Sequence, residues 1–188
     1  FLDISGGSYP LSAATRHPVY PNLAFLTAPV SCRAEDIDPG EFYEMLKQAR
    51  EQFRYIFLDA PAGVDAGFRL VAQAADRFLL VTGSGPAAMR DAARVGDILD
   101  IMGKNQVRLV VNRVERELLK TVKLTIDDVM DTAGLPLAGI VPEDPEVVLA
   151  AVYEAPLLKH THKGAAAACR RIALRIQGKR VPVSLNDR

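Results

Sequence analysis

Three stretches of the chain place chemically capable residues directly after apolar runs. Ile56-Phe57-Leu58 is closed by Asp59 and followed by Ala60-Pro61-Ala62-Gly63. Leu109-Val110-Val111 is closed by Asn112-Arg113, and Leu137-Ala138-Gly139-Ile140-Val141 by Pro142-Glu143-Asp144. A carboxylate at the tip of a strand suits Mg2+, which prefers hard oxygen ligands and keeps most of its water. Asp59 is therefore a candidate to hold the hydrated ion through water, beside a phosphate chain. Gly63 has no side chain to keep its N–H from a terminal phosphate, and Pro61 stiffens the loop that carries it. The amide of Asn112 offers both a donor and an acceptor, as the edge of a purine requires. A loop bearing Pro142 gives a flat apolar wall for a base. The plainer reading of Asp59–Gly63 is a strand-to-helix turn with a capping aspartate.

The elements that must position these groups follow from periodicity and punctuation. Leu23–Thr27, Tyr55–Asp59, Arg77–Thr82, Arg108–Asn112 and Leu137–Val141 are short, near-continuous apolar runs, the signature of strands covered on both faces. Between them, Glu41–Gln52, Ala66–Ala75, Pro86–Met102 and the segment opened by Thr125-Ile126-Asp127-Asp128 read as helices. Gly103 and Gly134 are their stops. Asp144-Pro145-Glu146 joins a capping carboxylate to proline at the first helical position, and a helix to about Glu154 follows. A last helix covers Lys163–Gln177. Strands alternating with helices predict an α/β fold: a doubly wound, mostly parallel sheet with helices on both faces. In such sheets ligands bind beyond the carboxyl ends of the strands, where Asp59, Asn112 and Pro142–Asp144 fall. The expected organisation is an irregular segment over 1–22, one α/β domain over 23–177 and a flexible tail over 178–188.

Composition narrows the function classes. The 188 residues hold 23 Lys plus Arg and 23 Asp plus Glu, a formal net charge of zero, which argues against a dedicated nucleic-acid partner. Apolar residues make up 49%, enough for a packed core and too many for a charged disordered chain. No apolar run reaches the ~18 residues of a membrane span. The two cysteines, Cys32 and Cys169, form no pair with zinc or disulfide spacing. Cys169 is read as a small core residue, and Arg170, Arg171 and Arg175 as the solvated face of the last helix. His160 and His162 are two apart and read as loop residues. The chain opens on Phe1-Leu2-Asp3-Ile4 and is expected to be the C-terminal portion of something longer.

With these residues in view, the chain resembles the MinD/ParA group of deviant Walker A P-loop ATPases. Phe53 to Gly63 is similar to the group's F-D-Y-x-x-x-D-[SA]-P-A-G segment. In order along the chain, Pro21-Asn22-Leu23 resembles its P-N-L strand. Ala75-Asp76 with Val81-Thr82 resembles A-D-x-x-x-x-V-T, and Arg90–Arg94 resembles R-D-A-x-R. Leu109–Arg113 resembles L-[IV]-V-N-R, Thr125–Val129 resembles S-V-E-D-V, and Leu135–Asp144 resembles G-[IL]-P-L-[IL]-G-V-[IV]-P-E-D. The likeness covers roughly residues 20–177. It implies that Asp59 is the Walker B carboxylate near Mg2+ and that Pro61, Ala62 and Gly63 belong to a switch loop sensing the γ-phosphate. It also implies that Asn112 reads the adenine edge with Arg113 flanking the base, and that Pro142, Glu143 and Asp144 close over the adenine.

The resemblance further implies a cytoplasmic ATP hydrolase, active in the full-length protein. It would act as an ATP-dependent homodimer that positions a division site, flagellum, plasmid or similar cargo, with an unidentified regulatory or cargo protein. It would sit peripherally at the inner face of the membrane. Three departures bear on this. The group's phosphate loop, K-G-G-x-G-K-[ST], is absent from the 188 residues and is expected N-terminal to Phe1, so these residues are not expected to hydrolyse ATP unaided. Gly83-Ser84-Gly85-Pro86 replaces the group's x-P-E. Gly178–Arg188 lacks the apolar face of a membrane-anchoring helix. Two alternatives stay open: a non-catalytic α/β interaction module that has lost nucleotide binding, and a GTP-binding relative. The second rests on Asn112-Arg113-Val114-Glu115, spaced like the guanine-reading N-K-x-D, with Glu115 accepting guanine N–H donors.

Overall fold

The computed structural model describes residues 14–27, 33–115 and 126–183. The expectations for residues 1–13, Cys32, Thr125 and 184–188 fall outside them. The backbone packs as two compact units, Phe1–Ala75 and Asp76–Arg188.

In the first unit, β1 (Thr15–Arg16) pairs antiparallel with β2 (Ala24–Phe25). His17 N–H donates to the Leu23 carbonyl at 2.9 Å, closing the loop that carries Pro18 and Pro21. This corrects the expected buried strand over 23–27. Only two of its residues pair, and Phe25 is exposed, because the available partner is the short segment just upstream. Helix α1 (Pro39–Gln52) starts at Asp38, whose Oδ1 accepts the Glu41 amide at 2.9 Å, with Pro39 in the first turn. Phe42, Met45, Leu46 and Ala49 recur at helical spacing and are buried in a cluster joined by Leu58 and Leu70. Helix α2 (Ala66–Ala74) is capped by Asp65 Oδ1 on the Phe68 amide at 3.2 Å. The expected strand over 55–59 carries no strand pairing. A strand exists only against a neighbour, and no described residue pairs with this one. Tyr55, Ile56 and Phe57 are exposed accordingly.

The second unit holds a three-stranded parallel sheet in the order β3 (Phe78–Thr82), β4 (Val107–Val114), β5 (Leu137–Pro142). The β3–β4 register runs from Phe78 opposite Val107 to Thr82 opposite Val111. Helices α3 (Pro86–Ile101) and α4 (Ile126–Ala133) follow β3 and β4. Met89 and Ala92 of α3 and Ala133 of α4 pack on Leu109, Val111, Val114 and Ile140. After β5 come α5 (Pro145–Val152), α6 (Leu157–His160) and α7 (Gly164–Ile176). Ala165, Ala168 and Ile172 of α7 cover Val110, Ala138 and Val141 on the opposite face. The sheet is thus parallel with helices on both faces, as the alternation predicts.

Two local readings of α7 are corrected. Its buried stripe is Ala165, Ala166, Ala168 and Ile172, whereas Cys169 is exposed. Arg175 is half-buried instead of solvated: its Nη1 donates to the Ala138 carbonyl, and its Nε and Nη2 donate to the Val181 carbonyl at 3.0 and 2.9 Å. The rotation brings small side chains against the sheet. Close approach is completed on the strand by Gly139, where any Cβ would meet Ile172.

Candidate functional site

The carboxyl ends of β4 and β5 build the site of the second unit. Between Val111 and Val114 the β4–β5 register shifts: Val111 lies opposite Ile140, and Val114 opposite Pro142. Three steps along β4 therefore match two along β5, a bulge that re-aims Asn112 and Arg113. Arg113 sits at φ 56°, in the left-handed region that a side-chain-bearing residue rarely adopts. Asn112 Oδ1 accepts the Arg113 amide at 3.0 Å and so supports the turn. The chain then returns to pairing, with Glu143 N–H donating to the Val114 carbonyl at 3.1 Å.

Across this edge, Arg113 Nε donates to Glu143 Oε2 at 2.9 Å. That hydrogen bond, and then the Glu143 charge, raise the Arg113 pKa above its usual value, so the guanidinium stays charged. Pro142 is buried and ends β5. Asp144 caps α5, its Oδ1 accepting the Glu146 amide at 3.0 Å, and its Oδ2 accepts the Ala165 amide of α7 at 2.8 Å. Beyond these residues opens a cleft of about 770 Å³, lined by Val114, Glu115, Pro142, Glu143 and Asp144 on the strand side. Glu146, His160, Thr161, Lys163 and Gly164 complete it. His160 ends α6 instead of lying in a loop, and its Nε2 is 2.9 Å from Glu146 Oε2. The charged lining is mostly acidic. Four carboxylates face one lysine, a setting that repels phosphate and favours a neutral ring bearing N–H or O–H donors.

Of the five residues predicted in this unit, Pro142, Glu143 and Asp144 line the cleft and Arg113 joins it through Glu143. Asn112 is half-buried in the bulge and is not among the lining residues. Asp59 to Gly63 belong to the first unit, on the segment entering α2. Asp59, Pro61, Ala62 and Gly63 are exposed there, and Gly63 takes φ 102° with nothing within 4 Å of where a Cβ would lie. Glu146, His160, Thr161, Lys163 and Gly164 were not singled out as site residues from the sequence. The one local signal for them was Lys163-Gly164 at the start of an alanine-rich helix. Among the described residues, no group of three His, Cys, Asp or Glu side chains could hold a metal ion.

No protein-family model matches the chain. It is 30% identical over 164 residues to the septum site-determining protein MinD of Synechocystis, a match covering 86% of this chain and 62% of the relative. It also superposes on a chain of the MinC:MinD cell division protein complex of Aquifex aeolicus, with a TM-score of 0.88 and 28% identity. That match covers 97% of this chain and 74% of the other. The chain is MinD-like. A third likeness shows the fold alone: the septum site-determining protein MinD complexed with Mg-ADP from Pyrococcus horikoshii, at 21% identity and a TM-score of 0.78. It covers 94% of this chain and 72% of that one. The fold of this MinD-like chain is accordingly the α/β fold of the MinD/ParA P-loop NTPases. Its span is a little over three-fifths of the Synechocystis relative. No described helix is long and apolar enough to cross a membrane.

Proposed function

We propose that this MinD-like chain is the base-binding and switch-bearing part of an ATPase that acts as an ATP-dependent dimer in placing a division site. The observation that carries the reading is the joint wall at the ends of adjacent parallel strands. The bulged Asn112-Arg113 of β4 and the Pro142–Asp144 turn of β5 meet through the Arg113–Glu143 pair beside an acidic cleft. In this reading the purine lies against Pro142, Asn112 reads its edge and Arg113 flanks it. Asp59 holds Mg2+ through water, and Pro61, Ala62 and Gly63 respond to the terminal phosphate. Gly63 suits that task because its backbone already occupies a conformation open to glycine and nothing lies within 4 Å of where a Cβ would stand. The phosphates need a Gly-Lys-Ser/Thr loop, which these 188 residues do not contain. Hydrolysis belongs to a longer chain that carries it. A MinC-type regulator, carried over from the Aquifex aeolicus MinC:MinD complex, and a site of action at the inner face of the membrane, implied by the family resemblance alone, are parts of the same proposal.

The deciding experiment is equilibrium binding of Mg-ATP and Mg-GTP to the full-length protein, with Asp59→Ala and Asn112→Ala. ATP is expected to bind preferentially. Asp59→Ala should abolish the Mg2+ dependence of binding. Asn112→Ala should reduce the preference for ATP by about 1–3 kcal/mol, the cost of one lost buried amide contact. No nucleotide binding at all would hand the chain to the non-catalytic module. The GTP reading gains one specific support, since Glu115 does line the cleft. Tighter binding of GTP, lost in Glu115→Ala, would establish it.

A further inference from the structure

Asp144 joins two helices that start far apart in the chain. Its Oδ1 takes the Glu146 amide in the first turn of α5, and its Oδ2 takes the Ala165 amide in the first turn of α7. Both are donors that a helix leaves without internal partners. The residue at the cap position of α7, Lys163, contributes no side-chain hydrogen bond, so Asp144 supplies that cap from 21 residues upstream. Gly164 makes the approach possible. Its φ of 54° is left-handed, and a Cβ there would run into Asp144 Oδ2. The residue before Asp144 is Glu143, whose amide is held by the Val114 carbonyl and whose carboxylate holds Arg113. The Asp144 carboxylate and the Arg113–Glu143 wall are thus one peptide apart along the chain.

We propose that Asp144 is a positioning residue, with Gly164 as its socket, and that it acts on the nucleotide through Glu143 and Arg113 instead of touching it. This rests on reading the cleft as the base end of a nucleotide site. The chemistry supports the assignment. Each carboxylate oxygen is already held by a backbone amide, and together they place one negative charge at two helix N-termini, where it is stabilised. Gly164 faces the carboxylate on the side of α7, where an added Cβ displaces Asp144 without altering it, besides straining the left-handed backbone of residue 164 itself.

The test uses the full-length protein with Asp144→Ala, Asp144→Asn, Gly164→Ala and the Asp144→Ala/Gly164→Ala double variant. The first readout is backbone hydrogen exchange without nucleotide. Asp144→Ala and Gly164→Ala should each speed exchange in the first turns of α5 and α7 together. The second is the affinity for a fluorescent ATP analogue with Mg2+. Each single variant should weaken it about tenfold, and the double variant should be no weaker than the weaker single, since both cut one link. Asp144→Asn, which keeps one acceptor oxygen, should recover part of the loss. If Asp144→Ala abolishes binding while Gly164→Ala binds like the parent, Asp144 is a direct ligand and the proposal is overturned. Additive losses in the double variant overturn it as well. Failure of exchange to change in α7, with nucleotide binding intact, shows that the link is at fault. Coupled exchange in a parent protein that binds no nucleotide overturns the proposal by a different route, showing the base-pocket reading to be at fault.

Discussion

Arg113 illustrates how a single residue can be set for recognition at a cost to its own backbone. A non-glycine residue in the left-handed region is disfavoured by contact between its Cβ and the neighbouring carbonyl, and the structure around it must hold it there. Here the holding groups are the Asn112 amide oxygen and the Glu143 carboxylate. The Arg113–Glu143 pair is solvent-exposed on both sides, and exposed pairs contribute little to stability. Arg113→Gly relieves the backbone and loses only that weak pair. Its thermal midpoint is therefore expected to equal or exceed that of the parent. If the guanidinium flanks a bound base, the same variant should lose about tenfold in affinity for Mg-ATP, the size of one charge-assisted contact. Scanning calorimetry and nucleotide titration on the same preparations separate the two effects. A lower midpoint with unchanged affinity would make Arg113 a structural residue.

At the scale of elements, β5 and α7 fit closely. Gly139 leaves room for Ile172, and Arg175 Nη1 lies 3.3 Å from where a Cβ at residue 139 would stand. Gly139→Ala should destabilise the protein by about 1–3 kcal/mol through overpacking, measured by urea unfolding. In an Ile172→Ala background, which lacks both contacting atoms, Gly139→Ala should cost less, and a strictly additive double variant would disprove the contact. This fit also shows what could be read from the residues and what could not. The runs ending at Thr82, Val111 and Val141 and the helices between them were legible, because apolar periodicity and Pro, Gly and Asp punctuation all pointed the same way. The run ending at Asp59 has the same composition, yet it is not a strand here, because a ladder depends on a neighbour that a local pattern cannot name. The face of α7 was misread because alanines, not the larger Cys169, take the closely packed positions. The bulge at Asn112-Arg113 left no mark in the sequence, since neither residue is a glycine. Glu143 and Asp144 were legible as site residues, but the reach of Asp144 to Ala165 was not.

For the whole molecule, a net charge of zero conceals a strong segregation. Residues 155–186 contain seven lysines and arginines and no aspartate or glutamate, so the rest of the chain carries the balancing negative charge. The positive field is felt within the fold: burial first, and then Arg171 and Arg108, push the Arg175 pKa below its usual value. Arg170, Lys179 and Arg180 are exposed and present that field to solvent. A surface answers to local potential at distances within the Debye length, about 10 Å at 0.1 M salt, and not to the total charge. At pH 7, close to its isoelectric point of about 7.0, the protein should therefore be retained on a cation exchanger at low salt and released as the ionic strength rises. Reversing the exposed charges in Arg170→Glu/Lys179→Glu/Arg180→Glu should abolish retention, since these side chains are not needed for the buried stripe of α7. A parent protein that passes straight through the column, or a triple variant retained as strongly as the parent, would show that the cationic segment is neutralised by neighbouring carboxylates and presents no patch.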